Sequence, residues 1–186
     1  VFKILFNNGC RHFFVATIEE ALQIRKKFSQ GIIYVLNGLN IKEVKYIKYK
    51  NIIPVINSLN DLKNFKKIKI AIHIDTGINR LGIDIKKISK IDIKNYNIVL
   101  LLSHLASADE ITNKYSYIQN KKFTEICYFF DNIKLKSLCN SSGIFFNKKF
   151  HHNLVRPGIA LYGGHNNNIR LKNIIKPVIK LKARVI

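Results

Sequence analysis

The sequence predicts an α/β fold, namely a TIM-type (β/α)8 barrel that is incomplete at its N-terminal side. Short apolar runs alternate with helical patterns along the 186 residues, which indicates βαβ units and a parallel sheet. The run at residues 97–102 is apolar after its first residue, as in a strand that a parallel sheet buries on both faces. Polar residues follow every predicted strand, which fits a closed barrel better than an open sheet with one ligand crevice.

The first half of the chain is predicted to hold four strands separated by helices. Thr17 and Glu20 have the spacing of a capping box, which marks the start of a helix that continues to residue 28. A lysine-rich amphipathic pattern predicts a second helix over residues 41–50, and Ser58 is a suitable N-cap for a third helix that runs to about residue 66. The four strands are predicted at residues 12–16, 32–36, 52–56 and 69–74.

The second half continues this alternation. Residues 88–96 are predicted to be helical or irregular, residues 115–132 form the longest predicted helix, and a short helix follows Ser141. The remaining strands are predicted at residues 97–102, 134–139 and 153–155. Seven strands are one or two short of the eight that close a barrel, so we expect the missing part to lie before Val1.

Both ends of the sequence look like cuts in a longer protein. The sequence contains no methionine, begins at Val1, and stops within a segment of alternating apolar residues. We therefore interpret the chain as an internal piece. Residues 1–165 are predicted to form the partial barrel and residues 166–186 the start of a C-terminal β domain, with the boundary in the loop at residues 163–168.

The chain is strongly basic, which raises the question of a nucleic-acid partner. It carries 32 Lys and Arg against 11 Asp and Glu, for a net charge of +21. The lysines are spread along every segment, the basic runs are short, and no aromatic-and-basic RNA-binding motif is present. The abundance of Lys, Asn and Ile is typical of AT-rich coding. We therefore expect solvated lysines and no nucleic-acid partner.

The sequence predicts no disulfide, no membrane span and no metal site. The three cysteines lack CxxC spacing, which favours free thiols in a reducing cytoplasm. No apolar run approaches the roughly 20 residues of a membrane span. His151, His152 and His165 lie among Lys and Asn without a second pair of ligands, so they are predicted to be surface histidines.

The segment at residues 75–82 (Asp-Thr-Gly-Ile-Asn-Arg-Leu-Gly) directly follows the strand predicted at residues 69–74. An acid, a hydroxyl, two glycines and an arginine at the end of a buried strand predict a ligand-binding loop, because the loops at the carboxyl ends of barrel strands form the active site. Residues 103–109 (Ser-His-Leu-Ala-Ser-Ala-Asp) and 155–163 (Val-Arg-Pro-Gly-Ile-Ala-Leu-Tyr-Gly) are two further motifs of this kind. The three segments resemble, in the same order, motifs of the alanine racemases, enzymes that use pyridoxal 5′-phosphate (PLP).

This resemblance covers nearly the whole chain and implies an activity. It implies a PLP-dependent isomerase, active as a homodimer, that interconverts L-alanine and D-alanine and supplies D-alanine for peptidoglycan. It also implies individual roles: Arg156 would hydrogen-bond the pyridine nitrogen, and Arg80 would contact the phenolic oxygen and the substrate carboxylate. Ser141, Gly158 and Ile159 would cradle the phosphate. The cofactor-binding residues implied in this way are Leu36, His104, Asn140, Ser141, Arg156, Gly158 and Ile159.

The residues themselves leave simpler interpretations open. His104 is equally typical of a hydrogen-bonded core histidine, and Leu36 of a leucine in a barrel core. Asn140 and Ser141 are equally typical of an ordinary turn. Arg156 could be a surface arginine, although its place between an apolar strand and a Pro-Gly pair makes this interpretation weaker.

The sequence departs from the resemblance in two respects. His73 stands where many family members carry a carbamylated lysine that holds the loop arginine, which leaves the orientation of Arg80 open. The Lys-Ala-Asn-Ala-Tyr-Gly-type motif of the Schiff-base lysine, and the catalytic tyrosine that comes from a partner's β domain, have no match. We therefore expect both catalytic bases to lie outside this chain, and the fragment alone to be inactive.

Other functions remain open from the sequence. Related PLP barrels include amino-acid decarboxylases, broad-specificity racemases and small PLP-carrier proteins. The Asp75-Thr76-Gly77 triplet after an apolar strand is also typical of aspartic proteases, but their chemistry needs two such carboxylates and only one is present. A non-catalytic remnant or a basic binding module is the third alternative.

Overall fold

Parallel strands form one sheet in the computed structural model of the chain, which describes residues 1–47, 51–110, 112–164 and 174–184. The strands are β1 (His12–Val15), β2 (Ile32–Val35), β3 (Ile52–Ile56), β4 (Lys69–Asp75), β5 (Ile83–Asp84), β6 (Asn97–Leu102) and β7 (Leu135–Ser137). Their hydrogen-bonded order is β1-β2-β3-β4-β6-β7, with β5 paired to β4 beside this path. Because every pairing is parallel, helices and loops must return the chain between strands, as in a barrel.

The connections are a mixture of α-helices and 3₁₀ helices. The α-helices are α1 (Phe2–Asn7), α2 (Ile18–Arg25), α3 (Leu59–Leu62), α4 (Tyr115–Phe129) and α5 (Ser141–Phe146). The 3₁₀ helices are Ile41–Tyr46, Lys63–Phe65, Ile85–Lys90, Ile93–Asn95, Lys148–Phe150 and Ile159–Tyr162. Of the helices described, none has the length and apolar character that a membrane span requires.

Local sequence signals explain where the helices start. The predicted capping box is confirmed, since the Thr17 side chain accepts from the Glu20 amide, and Glu20 accepts from the Thr17 amide in return. Ser58 accepts from the Asp61 amide at 3.1 Å, which confirms it as the cap of α3. The helix predicted over residues 41–50 is instead a 3₁₀ helix, and residues 48–50 lie outside the described residues. Its apolar residues recur every third position, which suits three residues per turn.

The prediction of a strand at residues 153–155 is wrong. The amides of Asn153 and Leu154 both donate to the carbonyl oxygen of Lys136, so the segment runs beside β7 without forming a regular ladder. The described strands include instead the two-residue β5, which the sequence did not predict. Because the amide of Arg156 donates to the carbonyl oxygen of Cys139 at 3.0 Å, the segment still delivers Arg156 to the carboxyl end of β7.

The two faces of the sheet bury different sets of side chains, because successive residues of a strand point to opposite sides. The first face packs against the helices in the main core, for example through Ile72 and Ile74 of β4. On the other face, Tyr34, Ala71 and Leu102 form part of a second cluster. His73 lies two residues beyond Ala71, so it belongs to this inner face and stands near the carboxyl end of β4.

The predicted two-domain division remains a prediction. Its boundary falls largely on residues 165–173, which lie outside the described part of the chain. Within residues 174–184, which the structure does describe, no helix or strand is formed. A backbone hydrogen bond ties this segment to the preceding region, since the amide of Val178 donates to the carbonyl oxygen of Tyr162 at 3.3 Å.

Candidate functional site

A large cavity lies at the carboxyl ends of the strands, as the barrel prediction requires. Its volume is about 1340 Å³. All seven residues predicted to bind the cofactor line this cavity, and so do Arg80 and His73. The fold therefore gathers in one place residues that are up to 123 positions apart in sequence, Leu36 and Ile159. Their individual roles stay predictions.

The Arg156 side chain is fixed by hydrogen bonds to the ends of two strands, β6 and β7. Its guanidinium donates hydrogen bonds to the hydroxyl of Ser137 and to the carbonyl oxygens of Ser103 and Leu138. The guanidinium carbon also lies 5.7 Å from the centre of the Phe14 ring. Burial lowers the pKa of Arg156 to about 10, so the group is still cationic at neutral pH. The interpretation of Arg156 as a free surface arginine is therefore wrong.

A small cradle of backbone N–H groups surrounds Ser141. The Ser141 hydroxyl accepts from the amide of Gly158 at 2.9 Å and from the amide of Ala160 at 3.2 Å. The space where a Cβ of Gly158 would stand has no heavy atom within 4 Å, so the backbone there is open to a ligand. Ile159 is 64% exposed at the start of its 3₁₀ helix. N–H groups that already converge on one oxygen are suited to bind an anion.

Asn140 is the N-cap residue of α5. Its side chain accepts from the amide of Gly143 at 3.0 Å and so caps α5, the helix that begins at Ser141. This cap holds the first turn of α5, and with it the Ser141 hydroxyl, at the cavity wall. The ordinary-turn interpretation of the Asn-Ser pair is thus wrong, because the pair begins a helix.

The loop after β4 is organised by the carboxylate of Asp75. Its Oδ1 atom accepts from the amides of Gly77, Ile78 and Asn79 at 2.8, 2.9 and 3.2 Å. Three backbone donors on one oxygen fix the loop and leave that oxygen no catalytic freedom. This geometry, on a parallel sheet, argues against the aspartic protease alternative. The loop carries Arg80, whose side chain is exposed and has no hydrogen bond to any described residue.

Two histidines of the cavity are electrically neutral at physiological pH. Burial, with the charge of Arg156, lowers the pKa of His73 to about 3. Burial, with the charges of Arg156 and Arg80, lowers the pKa of His104 to about 4. The Nδ1 atom of His73 lies 2.9 Å from the side-chain oxygen of Asn57. Both rings can therefore accept or donate hydrogen bonds as neutral imidazoles without adding positive charge beside the arginines.

A buried polar network below the cavity was not predicted from the sequence. The Gln119 side chain, on α4, donates to the carbonyl oxygen of His104 at 3.0 Å and to the hydroxyl of Thr76 at 3.3 Å, and it accepts from the amide of Ala106 at 2.9 Å. The Thr76 and Ser103 hydroxyls lie 2.8 Å apart. The network joins the loops after β4 and β6. A glutamine on the apolar stripe of the longest helix was the one signal that could have revealed it.

No lysine of the described residues lines the cavity. The expectation that the Schiff-base lysine lies outside this chain stays a prediction. Histidine, cysteine and carboxylate side chains of the described residues form no cluster of three or more that could hold a metal ion. The cavity wall thus combines the backbone amides beside Ser141 with the half-buried guanidinium of Arg156.

The fold and the site define a barrel-type binding domain, and comparison with known proteins identifies its family. The family described as "Alanine racemase, N-terminal domain" matches residues 1–166. The chain belongs to this family. It is also 36% identical, over 198 residues, to the alanine racemase of Rickettsia canadensis (strain McKiel), an alignment that covers 99% of this chain and 54% of that protein.

Solved structures give the same result. The crystal structure of alanine racemase from Bartonella henselae with covalently bound pyridoxal phosphate has a TM-score of 0.76 and 36% identity, and the match covers 86% of this chain and 50% of that one. Alanine racemase from Acinetobacter baumannii has a TM-score of 0.79 at 28% identity, over 92% of this chain and 52% of that one. The predicted α/β barrel is therefore confirmed as a partial barrel. The chain spans about half the length of the relatives it matches.

Proposed function

We propose that this chain is the cofactor-binding part of a PLP-dependent alanine racemase. Membership of the family and the convergence of the predicted residues on one cavity support this proposal. Because the chain spans only half of its relatives, activity is a property we assign to the completed protein, by which we mean this chain joined to the flanking parts of a full-length relative. The observation that carries the proposal is that the Arg156 guanidinium and the backbone amides beside Ser141 lie in the same cavity.

The chemistry of the cavity fits PLP at both of its ends. The amides of Gly158 and Ala160 converge on the Ser141 hydroxyl, and the same donors suit a phosphate. The Arg156 guanidinium, which only donates, suits an unprotonated pyridine nitrogen. When bound, PLP supplies an electron-withdrawing ring that weakens the Cα–H bond of an attached amino acid.

The residues of this chain would tune that chemistry rather than move the proton. Arg156 stays cationic at neutral pH and can only donate hydrogen bonds, so it would hold the ring nitrogen of the cofactor unprotonated and moderate the electron withdrawal of the ring. Moderate withdrawal favours return of the proton to the same carbon, which is what racemisation requires. Arg80, at the mouth of the cavity, would bind the carboxylate of the amino acid. The two proton-transfer groups would come from the parts that complete the protein.

We extend the proposal to partners and place of action. A homodimer would supply the second catalytic group across the subunit interface, and the product D-alanine would enter peptidoglycan synthesis. The free thiols of Cys10, Cys127 and Cys139 support a reducing cytoplasm as the place of action.

Chiral analysis of alanine tests the proposed activity. The completed protein, incubated with PLP and L-alanine, is expected to produce D-alanine until the two enantiomers are equal. The variant Ser141→Ala, which removes the hydroxyl at the cradle, should weaken PLP binding, whereas Ser89→Ala on an exposed surface should not. Parallel assays with L-serine and L-lysine separate alanine preference from a broad-specificity racemase. Release of carbon dioxide, or no turnover of any amino acid, would contradict the proposal.

A further inference from the structure

The Nε2 atom of His73 is buried without a hydrogen-bond partner among the described residues. The side chain is only 4% exposed, and its other nitrogen lies 2.9 Å from Oδ1 of Asn57. An unpaired polar atom in the interior is unfavourable, so native proteins rarely leave one without a purpose. His73 lines the same cavity as the predicted cofactor residues, so a donor on the cavity wall beside the ring would have to come close to pair with this buried atom.

The surroundings of Asn57 determine which hydrogen-bonding role this atom has. The Asn57 amide nitrogen donates to the carbonyl oxygens of Leu36 and Val55 at 2.9 and 3.3 Å. With both amide hydrogens used, the atom that faces His73 is the side-chain oxygen, which only accepts. The Nδ1 atom of His73 must then carry the hydrogen. In a neutral imidazole of this tautomer, Nε2 is unprotonated and can only accept.

The ring is held neutral by the groups around it. Burial, then the charges of Arg156 and Arg80, lower the pKa of His73, while the charge of Asp75 opposes them. The group that pairs with Nε2 must therefore be a donor, and a cation is allowed because the ring itself carries no charge.

Three arginines line the cavity, and one of them, Arg11, already donates to the carbonyl oxygens of Phe6 and Cys10. Arg156 already donates to Ser137, Ser103 and Leu138. Arg80 lines the cavity and has no hydrogen bond to a described residue, although its charge already acts on His73. Its long side chain can swing inward without a change in the loop backbone, which Asp75 holds in place.

We propose that His73 is a positioning residue whose Nε2 atom accepts a hydrogen bond from the Arg80 guanidinium and so turns Arg80 into the cavity. Asn57 sets the tautomer that makes this possible, and the chain thus has a neutral acceptor for the guanidinium at the carboxyl end of β4. The consequence for substrate binding rests on the proposed function. The hydrogen bond itself does not.

Nuclear magnetic resonance of histidine nitrogens tests the pair without any assay of activity. In the completed protein labelled with ¹⁵N-histidine, the signals of His73 are identified by their loss in His73→Gln. We expect a protonated Nδ1 and an unprotonated Nε2 at pH 7, and a shift of the Nε2 signal in Arg80→Ala. The matched control Lys86→Ala removes another exposed cation of the same region, outside the cavity, and should leave the signal unchanged. A protonated Nε2, or an Nε2 signal that ignores Arg80→Ala, would overturn the proposal.

Kinetics of the same variants test the positioning role. His73→Phe keeps the ring shape but removes the lone pair, and we expect it to raise the KM for L-alanine about tenfold or more, as for loss of a hydrogen bond to a charged group. His73→Gln, whose side-chain oxygen can accept in place of Nε2, should restore most of the affinity. In the Arg80→Ala background, His73→Phe should have no further effect. Additive effects of the two substitutions would overturn the pairing, whereas a completed protein without racemase activity would refute the proposed function and leave the spectroscopic result to decide the pair.

Discussion

The hydroxyl of Tyr115 donates a hydrogen bond to the carbonyl oxygen of Gly77, 2.9 Å away. Tyr115 is the first residue of α4, and Gly77 lies in the loop that carries Arg80. The contact is tight, since a Cβ added to Gly77 would stand 2.1 Å from the Tyr115 hydroxyl, and Gly77 has a φ of +132°. The glycine of this motif is therefore required by the packing of the loop against α4 as well as by its own backbone conformation.

The substitution Gly77→Ala is predicted to lower the free energy of unfolding of the completed protein by about 2 kcal/mol or more, through the clash and the positive φ together. Denaturant unfolding measures the change. Gly9→Ala is the matched control, because Gly9 also has a positive φ, +94°, but an added Cβ there meets nothing within 4 Å. Tyr115→Phe should recover part of the loss in the Gly77→Ala background. Equal effects of Gly77→Ala and Gly9→Ala would show that the contact with α4 is unimportant.

The Gln119 network gives a second prediction. Gln119→Leu keeps the size of the side chain but leaves the amide of Ala106 and the carbonyl oxygen of His104 without their partner, at a cost of about 1–3 kcal/mol for a buried group. The completed protein should lose this much stability and bind PLP more weakly, because the loop of His104 is no longer held. The exposed Gln23→Leu on α2 is the control. If the Gln119→Leu protein were as stable as the Gln23→Leu protein, the supporting role of Gln119 would be refuted.

The sheet was predictable because most of its strands are short apolar runs that can be recognised from the local sequence. The runs at residues 52–56 and 97–102 were predicted to the residue, since an apolar run between helix caps has few other interpretations. The segment at residues 153–155 has the same apolar character and is not a strand. Whether a run joins a ladder depends on the register of its neighbour. Lys136 offers one carbonyl to two amides, and no local pattern shows this.

The site was predictable only as far as motifs reach. Arg80, His104 and Arg156 were found because they stand in recognisable segments after strands. The partners that orient the site come from other elements. Asn57 lies 16 residues from His73, and Gln119 lies 13, 15 and 43 residues from Ala106, His104 and Thr76. Such pairs exist only once the strands have been brought side by side. The sequence alone therefore predicts the residues that line the cavity and not the residues that orient them.

Acid is predicted to destabilise the completed protein through the two cavity histidines. Both have folded-state pKa values below their usual 6.5, at about 3 for His73 and about 4 for His104. Between about pH 6.5 and pH 4 these histidines are therefore protonated in the unfolded chain and largely unprotonated in the folded chain. The free energy of unfolding consequently falls as the pH falls. Each such histidine contributes a slope of about 1.4 kcal/mol per pH unit when the unfolded state is protonated and the folded state is not.

Unfolding free energies of wild type and His104→Gln, measured from pH 8 to pH 4.5, check this expectation. The two curves should run parallel above pH 7 and diverge below pH 6.5, with the shallower slope in His104→Gln. Parallel curves throughout the range would mean that His104 has the same pKa in the folded and unfolded states, and that burial does not lower it.

The 186-residue polypeptide by itself is predicted not to racemise alanine above the rate of free PLP. The reason is structural, since no lysine of its described residues reaches the cavity. Chiral analysis after incubation with PLP and L-alanine measures the rate, and the completed protein serves as the positive control. Protein-dependent D-alanine from the polypeptide alone would show that a lysine in the remaining residues, or a group we have not assigned, can replace the missing one.

The substitution Arg156→Glu is predicted to change both the stability and the chemistry of the completed protein. A carboxylate there faces the carbonyl oxygens of Ser103 and Leu138, which are acceptors like itself, so the folded state is destabilised. It would also favour a protonated ring nitrogen, and stronger electron withdrawal gives the proton more opportunity to return at a different carbon. Racemisation should fall by orders of magnitude, at about tenfold for each 1.4 kcal/mol, and pyruvate from transamination should appear.

Arg156→Lys separates the two effects, because it keeps the positive charge and a donor to the same carbonyl oxygens but loses the planar fork. We expect Arg156→Lys to be less destabilised than Arg156→Glu, to lose part of its racemase rate, and to form no pyruvate. Thermal unfolding measures the first difference, and assays of D-alanine and pyruvate measure the others. If Arg156→Glu formed no pyruvate and matched Arg156→Lys in rate once corrected for the folded fraction, Arg156 would act only as a tie between strand ends and would not lie at the ring nitrogen.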